Sequence, residues 1–197
     1  MKILLLIIFS YLLGSFPTGY VIGKIFYKED IRKYGSGNIG MSNVFRTFGP
    51  LPALFTFIGD ALKGYIPTFF AIWLHFSPIW ILVIALSSIL GHVFSLYLKF
   101  KGGKGIATTF GIFFAINFYL GLLAGGVWIL TLIFTRYFSL SSLLATFSSI
   151  IFALLLKINI IYVYLFLIIF ALSLYTHREN IKRLINGNER RFGQKAR

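Results

Sequence analysis

Long apolar stretches recur along the chain, separated by short polar runs. They cover 3–22, 51–74, 79–98, 140–156 and 158–176, each close to the ~20 residues that carry a helix across the hydrocarbon core of a bilayer. The stretch 106–135 is harder to read, because its 30 residues are too many for one untilted span and few for two. The polar step at Asn117-Phe118-Tyr119 predicts a tight turn between two short helices. The second contains Gly121, Gly125 and Gly126, which permit close helix contact.

Left whole, that region gives six spans; divided, it gives seven. Charge arbitrates, because basic residues are retained on the cytoplasmic side. With seven spans and the N-terminus outside, Lys24, Lys28, Arg32, Lys33, Arg46, Lys99, Lys101, Lys104, Arg136 and the seven basic residues of 178–197 all face the cytoplasm. Only Lys2 and Lys157 then lie outside. With six spans the basic tail sits opposite the loops that hold Arg46 and Lys104. The pattern therefore predicts an all-α integral membrane protein, a seven-transmembrane-helix bundle with its N-terminus outside and its C-terminus cytoplasmic, forming a single domain over 1–197. The apolar run after Met1-Lys2 is read as the first span, since no Ala-x-Ala cleavage site follows it. The tail reads as a short interfacial helix followed by a turn at Asn186-Gly187-Asn188.

Composition narrows the function. Hydrophobic residues make up 58% of the chain and mean hydropathy is +0.85, which excludes a soluble domain. Nineteen Lys and Arg against five acids give a net charge of +14, so the partners are anionic. Membrane burial favours lipid and phosphorylated small molecules over nucleic acid. There is no cysteine, which rules out a disulfide framework and acyl transfer through a thiol. Three histidines and five acids are dispersed without metal-ligand spacing, so neither metal nor cofactor is expected.

Two glycine-rich runs stand out against this apolar background. Gly35-Ser36-Gly37-Asn38-Ile39-Gly40-Met41-Ser42-Asn43-Val44-Phe45-Arg46 has the composition of an anion cradle: glycines that turn N–H groups inward, small polar donors, and a guanidinium fork. Its G-x-G-x-x-G spacing matches a dinucleotide fingerprint, but no strand precedes it and no βαβ unit surrounds it. Phe100-Lys101-Gly102-Gly103-Lys104-Gly105 opens straight into the helix expected at 106, where free N–H groups and the helix dipole favour an anion. It is not a Walker A motif, since Gly105 stands where Ser or Thr is required. Asp60 and Lys63 lie three apart inside an apolar segment and so share a helical face. Charges there are costly enough to require a partner or a polar cavity. His177 and Asn180 are placed together at helical spacing just after the last span.

These residues resemble the acyl-phosphate-dependent glycerol-3-phosphate acyltransferases of bacterial inner membranes, the PlsY type. The run 35–46 is similar to the family's first motif, Gly91-His92-Val93-Phe94 with 100–105 to its second, and 177–189 to its third. Ser15-x-Pro17-x-Gly19-Tyr20 and Asp60-x-x-Lys63-Gly64 also fit. Two departures are visible, Ser42 in place of a usual threonine and Ser95 in place of a usual proline.

The resemblance implies transfer of a fatty acyl group from acyl phosphate to the sn-1 hydroxyl of glycerol 3-phosphate, giving 1-acyl-glycerol 3-phosphate and phosphate, by a multi-pass monomer whose active site faces the cytoplasm. Ser36, Arg46, Lys104, His177 and Asn180 are the expected catalytic residues. Gly37, Asn38, Asn43, Lys63, Gly102, Gly103, Gly105, Ser142 and Glu189 are the expected substrate-binding residues. Backbone N–H groups around Ser36 to Asn38 and Gly102 to Gly105 are expected to hold phosphates, with Asp60 and Lys63 bracing the site from behind. The deprotonating base is either His177, whose ordinary pKa suits the task, or a phosphate of the substrate. The absence of a His-x-x-x-x-Asp motif agrees with independence from acyl-CoA and acyl carrier protein. The competing reading is a transporter of an organic phosphate, which would place its anion-binding groups near mid-membrane rather than at one face.

Overall fold

The computed structural model describes residues 1–194; Lys195 and Arg197 of the basic tail lie outside the described residues. The described residues form ten α-helices and no strand: α1 (Lys2–Ser15), α2 (Thr18–Phe26), α3 (Met41–Phe48), α4 (Pro50–Trp73), α5 (Pro78–Val93), α6 (Ile106–Ile116), α7 (Phe118–Thr135), α8 (Phe138–Leu155), α9 (Ile160–Thr176) and α10 (Arg178–Ile185). Three segments, Pro78–Leu98, Phe118–Thr135 and Phe138–Leu155, are long and apolar enough to cross a membrane by themselves, and five are if each bent pair counts as one span.

The expected first span is a bent pair. Pro17 has no N–H to continue the ladder of α1, and α2 leaves at 44° to it. The ambiguous region divides where the polar step predicts it, but at a single residue: Asn117 leaves the helical conformation and its side chain accepts from Leu120 N at 3.0 Å, capping α7. The run 35–46 is a loop only as far as Gly40. Its second half is α3, whose Met41, Val44, Phe45 and Phe48 recur at helical spacing and pack with Ile31, Ile39, Ala53 and Leu98.

The main apolar core lies among α5, α6, α8 and α9, centred on Ile112, Phe113, Leu165 and Phe166. What most affects the site is how closely α4 and α6 approach. A Cβ on Gly64 would sit 2.0 Å from Thr108 O, and one on Gly111 would sit 1.9 Å from Ala61 O, so the backbones touch as they do at small-residue membrane interfaces. That contact lays the N-terminus of α6 beside Asp60 on α4. The chain after α10 turns at Gly187, with φ +71, and folds back. Phe192 N donates to Arg136 O at 2.6 Å, and the Phe192 ring stacks on Phe45 at 4.9 Å. The tail thereby brings Glu189 and Arg190 over the end of the bundle where the two glycine-rich runs meet.

Candidate active site

Asn43 builds the first loop. It is fully buried, and its Nδ2 donates to the carbonyls of Ile31, Tyr34 and Asn38 at 3.2, 3.1 and 2.9 Å, while its Oδ1 accepts from Ser36 N at 2.9 Å. Gly37 N is bonded to Tyr34 O at 2.9 Å, and Gly40 N to Asn38 Oδ1 at 2.9 Å. The N–H groups expected to hold a phosphate are therefore spent on the loop itself. Asn43 and Gly37 shape the site rather than line it. Met41 and Ser42 line the cavity, and as first-turn residues of α3 their N–H groups have no partner within their helix.

The second loop follows the same logic. Gly103 N donates to His92 O and Gly102 N to Val93 O, both at 3.0 Å, satisfying carbonyls at the end of α5. Side chains are excluded there: a Cβ on Gly102 would meet His92 O at 1.9 Å, and one on Gly103 would meet His92 Nε2 at 2.2 Å. Gly102 and Gly103 are thus a clip that sets Lys104 in place, not a phosphate cradle. Gly105, with φ +81, caps α6 and does line the site, followed by Ile106 and Ala107 in the first turn.

Two helix N-termini, α3 and α6, converge on one polar cavity of about 90 Å³. Ser36, Asn38, Arg46, Lys104, Gly105, Ser142, His177, Asn180 and Glu189 line it as expected. Arg46 is buried. Its Nη1 donates to Ser42 O at 3.4 Å, its Nη2 to Arg190 O at 3.3 Å, and its guanidinium lies 5.4 Å from the centre of the Phe138 ring. Its Nε has no partner among the described residues, so donor capacity remains for an anion.

Lys104 Nζ donates to Asn180 Oδ1. Asn180 Nδ2 donates onward to Glu189 Oε1 at 2.6 Å, where Ser139 Oγ also donates at 3.0 Å, and Arg183 Nε donates to Glu189 Oε2 at 2.8 Å. Burial pushes the Glu189 carboxyl up, but the hydrogen bonds from Asn180, Arg183 and Ser139 outweigh it, and its pKa is lowered overall. Burial draws the Lys104 ammonium down to about 8, opposed by Glu189 and reinforced by Arg183, Arg46 and Arg190. Glu189 therefore positions Asn180 and, through it, Lys104.

His177 sits in the 64° break between α9 and α10. Its Nδ1 lies 2.9 Å from Ser173 O. A carbonyl partner requires the hydrogen on Nδ1 and leaves Nε2 as an acceptor. Burial, and secondarily the charge of Lys104, hold this imidazole down to about 3. An imidazole held that low is a poor base at neutral pH, so the ordinary pKa that makes His177 a candidate base in the sequence does not apply in the fold. Ser142 Oγ donates to Phe138 O at 2.8 Å and accepts from Trp128 Nε1 at 3.3 Å.

Lys63 does not line the cavity. It is 2% exposed and bonds Asp60 Oδ1, the internal pair that its spacing allowed. Asp60 and His92, in contrast, do line it, together with Ser139, Trp128, Phe138 and Arg190. Ser139 and Trp128 carry no sequence signal of their own, being one hydroxyl and one ring in apolar helices. The buried charge of Asp60 was such a signal, and it pointed to a cavity as well as to a partner.

An apolar groove of about 460 Å³ adjoins the polar cavity. It runs between α3 and α4 on one side and α7 on the other, with Phe110 and Phe114 of α6 among its lining residues. Met41, Phe57, Phe110 and Trp128 line both spaces, so a single molecule with a phosphate at one end and a hydrocarbon chain at the other fits across them.

The comparisons agree with that geometry. A profile described as glycerol-3-phosphate acyltransferase matches residues 4–187. The glycerol-3-phosphate acyltransferase of Pelagibacter ubique (strain HTCC1062) is 43% identical over 190 residues, covering 96% of this chain and 97% of the relative. That of Aquifex aeolicus (strain VF5) is 41% identical over 193 residues, covering 98% and 100%. Among solved structures, the chain is similar to PlsY (YgiH), an integral membrane glycerol 3-phosphate acyltransferase. Against its glycerol 3-phosphate form the TM-score is 0.94 at 39% identity, covering 98% of this chain and 96% of that one. Against its lysophosphatidic acid form the TM-score is 0.91, covering 98% and 97%. With its motifs brought to one cavity and its backbone so close to a solved relative, the chain belongs to the glycerol-3-phosphate acyltransferase family.

Proposed function

We propose that this acyltransferase moves a fatty acyl group from acyl phosphate to the sn-1 hydroxyl of glycerol 3-phosphate, releasing 1-acyl-glycerol 3-phosphate and inorganic phosphate. The observation that carries the donor assignment is the junction of the two spaces, with Met41, Phe57, Phe110 and Trp128 common to both. The acyl chain lies in the groove and its phosphate enters the cavity. A polar space of about 90 Å³ suits phosphate-sized groups rather than the nucleotide of an acyl-CoA.

The donor is already activated, so the protein positions and stabilises. Arg46, Lys104 and the first-turn N–H groups of α3 and α6 bind the phosphates and the charge that develops at the attacked carbonyl. Ser36 and Asn38 add polar contacts from the first loop, while Ser142, His177 and Asn180 orient glycerol 3-phosphate. The hydroxyl oxygen attacks the acyl carbon, the bond from that carbon to the phosphate oxygen breaks, and the hydroxyl proton passes to the departing phosphate. His177, neutral and with Nε2 as acceptor, holds the hydroxyl rather than removing its proton. No cofactor is called for by this chemistry. The same reading takes the enzyme as a monomer with 1–197 as one acyltransferase unit.

The basic loops that enclose the cavity support a bacterial inner-membrane orientation in which seven spans leave the N-terminus outside and the active site facing the cytoplasm. The two shorter elements, α6 and the α1–α2 pair, then cross as bent or partial spans.

The test is formation of 1-acyl-glycerol 3-phosphate by the detergent-purified protein, with phosphate release followed alongside, from palmitoyl phosphate with and without glycerol 3-phosphate and from palmitoyl-CoA as the alternative donor. The expected result is acceptor-dependent product formation from palmitoyl phosphate alone. Turnover with palmitoyl-CoA only, or none from a folded preparation, overturns the donor assignment.

A further inference from the structure

A cavity built for phosphates has one wall that repels them. Asp60 is 2% exposed and lines the cavity. Its Oδ1 receives the Lys63 ammonium and lies 3.9 Å from His92 Nδ1. No hydrogen bond to its Oδ2 is made by the described residues. The other carboxylate on the cavity differs, because Glu189 is occupied at both oxygens by Ser139, Asn180 and Arg183. An ionised carboxylate only accepts hydrogen bonds, so the group that complements Asp60 Oδ2 is a donor and not an anion.

The position is informative as well. Asp60 follows Phe57 by three residues on α4 and so shares its face, and Phe57 belongs to the junction with the apolar groove. His92 is fixed against Asp60 by the clip at Gly102 and Gly103, which also sets Lys104. The carboxylate, the junction and the cationic wall thus hold a constant relation to one another.

We propose that Asp60 is a specificity residue for the acceptor: its Oδ2 accepts a hydrogen bond from the C2 hydroxyl of glycerol 3-phosphate, the hydroxyl that is not acylated. This rests on the acceptor assignment given above. With the phosphate on Arg46 and Lys104 and the C2 hydroxyl on Asp60, the C1 hydroxyl is the end left to reach the acyl carbonyl at the junction. Lys63 pairs with Oδ1 and orients the carboxylate, which accounts for a buried pair beside an anion site.

The experiment compares kcat/KM for glycerol 3-phosphate and for 3-hydroxypropyl phosphate, which lacks only the C2 hydroxyl, with palmitoyl phosphate as donor. The wild-type protein is expected to favour glycerol 3-phosphate about 10- to 100-fold. In Asp60→Leu/Lys63→Met, which removes both charges together so that no lone ion is buried, this ratio falls to near one, with most of the loss borne by glycerol 3-phosphate. Asp60→Asn, which keeps the shape and a weaker neutral acceptor, gives an intermediate ratio and preserves the measurement if the double variant does not fold. A structural role would lower both substrates alike and leave the ratio unchanged; that outcome overturns the proposal. Absence of acyl transfer to glycerol 3-phosphate by the wild-type protein overturns the acceptor assignment instead, so the two failures are distinct.

Discussion

The polar cavity and the apolar groove share a wall but are built in opposite ways. The cavity, about 90 Å³, draws residues from two loops, seven helices and the returning tail, and many of its polar groups are tied to one another. The groove, about 460 Å³, is walled by helix faces alone and lined by aromatic, aliphatic and small residues. Hydrogen bonds are short-ranged and directional, so the cavity tolerates little displacement. Apolar contact is non-directional, so the groove tolerates exchange of one hydrophobic residue for another of similar volume.

The contrast is sharpest at the guanidinium. Arg46→Ala removes a buried cation that still has a free donor, and kcat/KM for acyl transfer is expected to fall by about 10²- to 10³-fold or more. Ile129→Leu, a conservative change on the groove wall, is expected to stay within about threefold. Steady-state phosphate release from palmitoyl phosphate measures both, and comparable losses at the two positions would erase the distinction.

Glycines give the next test, because they occur in both regions for different reasons. In Gly102→Ala the new Cβ meets a backbone carbonyl at 1.9 Å, which no side-chain rotation relieves, so the loop shifts and carries Lys104 with it. Activity is expected to drop about 10²-fold, since small misplacements of a positioned group have effects of this order, with a lower melting temperature in detergent. In Gly125→Ala the nearest atom, on the Phe110 ring, is 4.0 Å away, and neither activity nor melting temperature should move appreciably. A larger residue at the same place acts on the substrate instead. Gly125→Leu projects into the groove one turn from Trp128, and kcat/KM for palmitoyl phosphate is expected to fall about tenfold while an eight-carbon acyl phosphate is turned over nearly as before. Equal losses for the long and short donors would remove the acyl chain from this groove.

The same contrast explains what the sequence discloses. Polar residues announce themselves: Ser36, Arg46, Lys104, His177 and Asn180 are polar interruptions in an apolar chain, and all five line one cavity. Asn117 marks the division of 106–135 because its side chain caps a helix. What stays hidden is which partner each group takes. Ser36 N, Gly37 N, Gly102 N and Gly103 N look like anion donors in sequence, but they are satisfied by Asn43 Oδ1, Tyr34 O, Val93 O and His92 O, partners that only the folded loops bring within reach. Helix α3 is hidden within its own motif, because the glycines ahead of it dominate the composition. The groove leaves no trace at all. A residue facing hydrocarbon lipid and one facing a hydrocarbon substrate meet the same solvent, so Phe114, Gly125 and Ile129 satisfy either role with the same chemistry.

The smallest expected effect separates the two regions by pH. Lys104 is drawn down to about 8, chiefly by burial, whereas the groove contains no group that titrates. The ammonium is the form that binds phosphate, so kcat/KM for glycerol 3-phosphate should be level below pH 7, half-maximal near pH 8 and roughly fourfold lower at pH 8.5. Unfolding is not the cause, and the sign of the linkage distinguishes it. A lysine whose native pKa lies below its unfolded value of 10.5 binds more protons when unfolded, so its contribution to stability improves as pH rises from about 8 toward 10.5. Activity should therefore decline over a range in which the Lys104 contribution to the melting temperature does not. Bound phosphate raises the lysine's pKa again, so kcat at saturating acceptor should fall later than kcat/KM. Lys104→Arg, which stays protonated throughout, should lower the rate but flatten its alkaline decline. A variant that keeps the wild-type slope would assign the titration to the substrate or to another side chain, and Lys104 would then be charged across the whole working range.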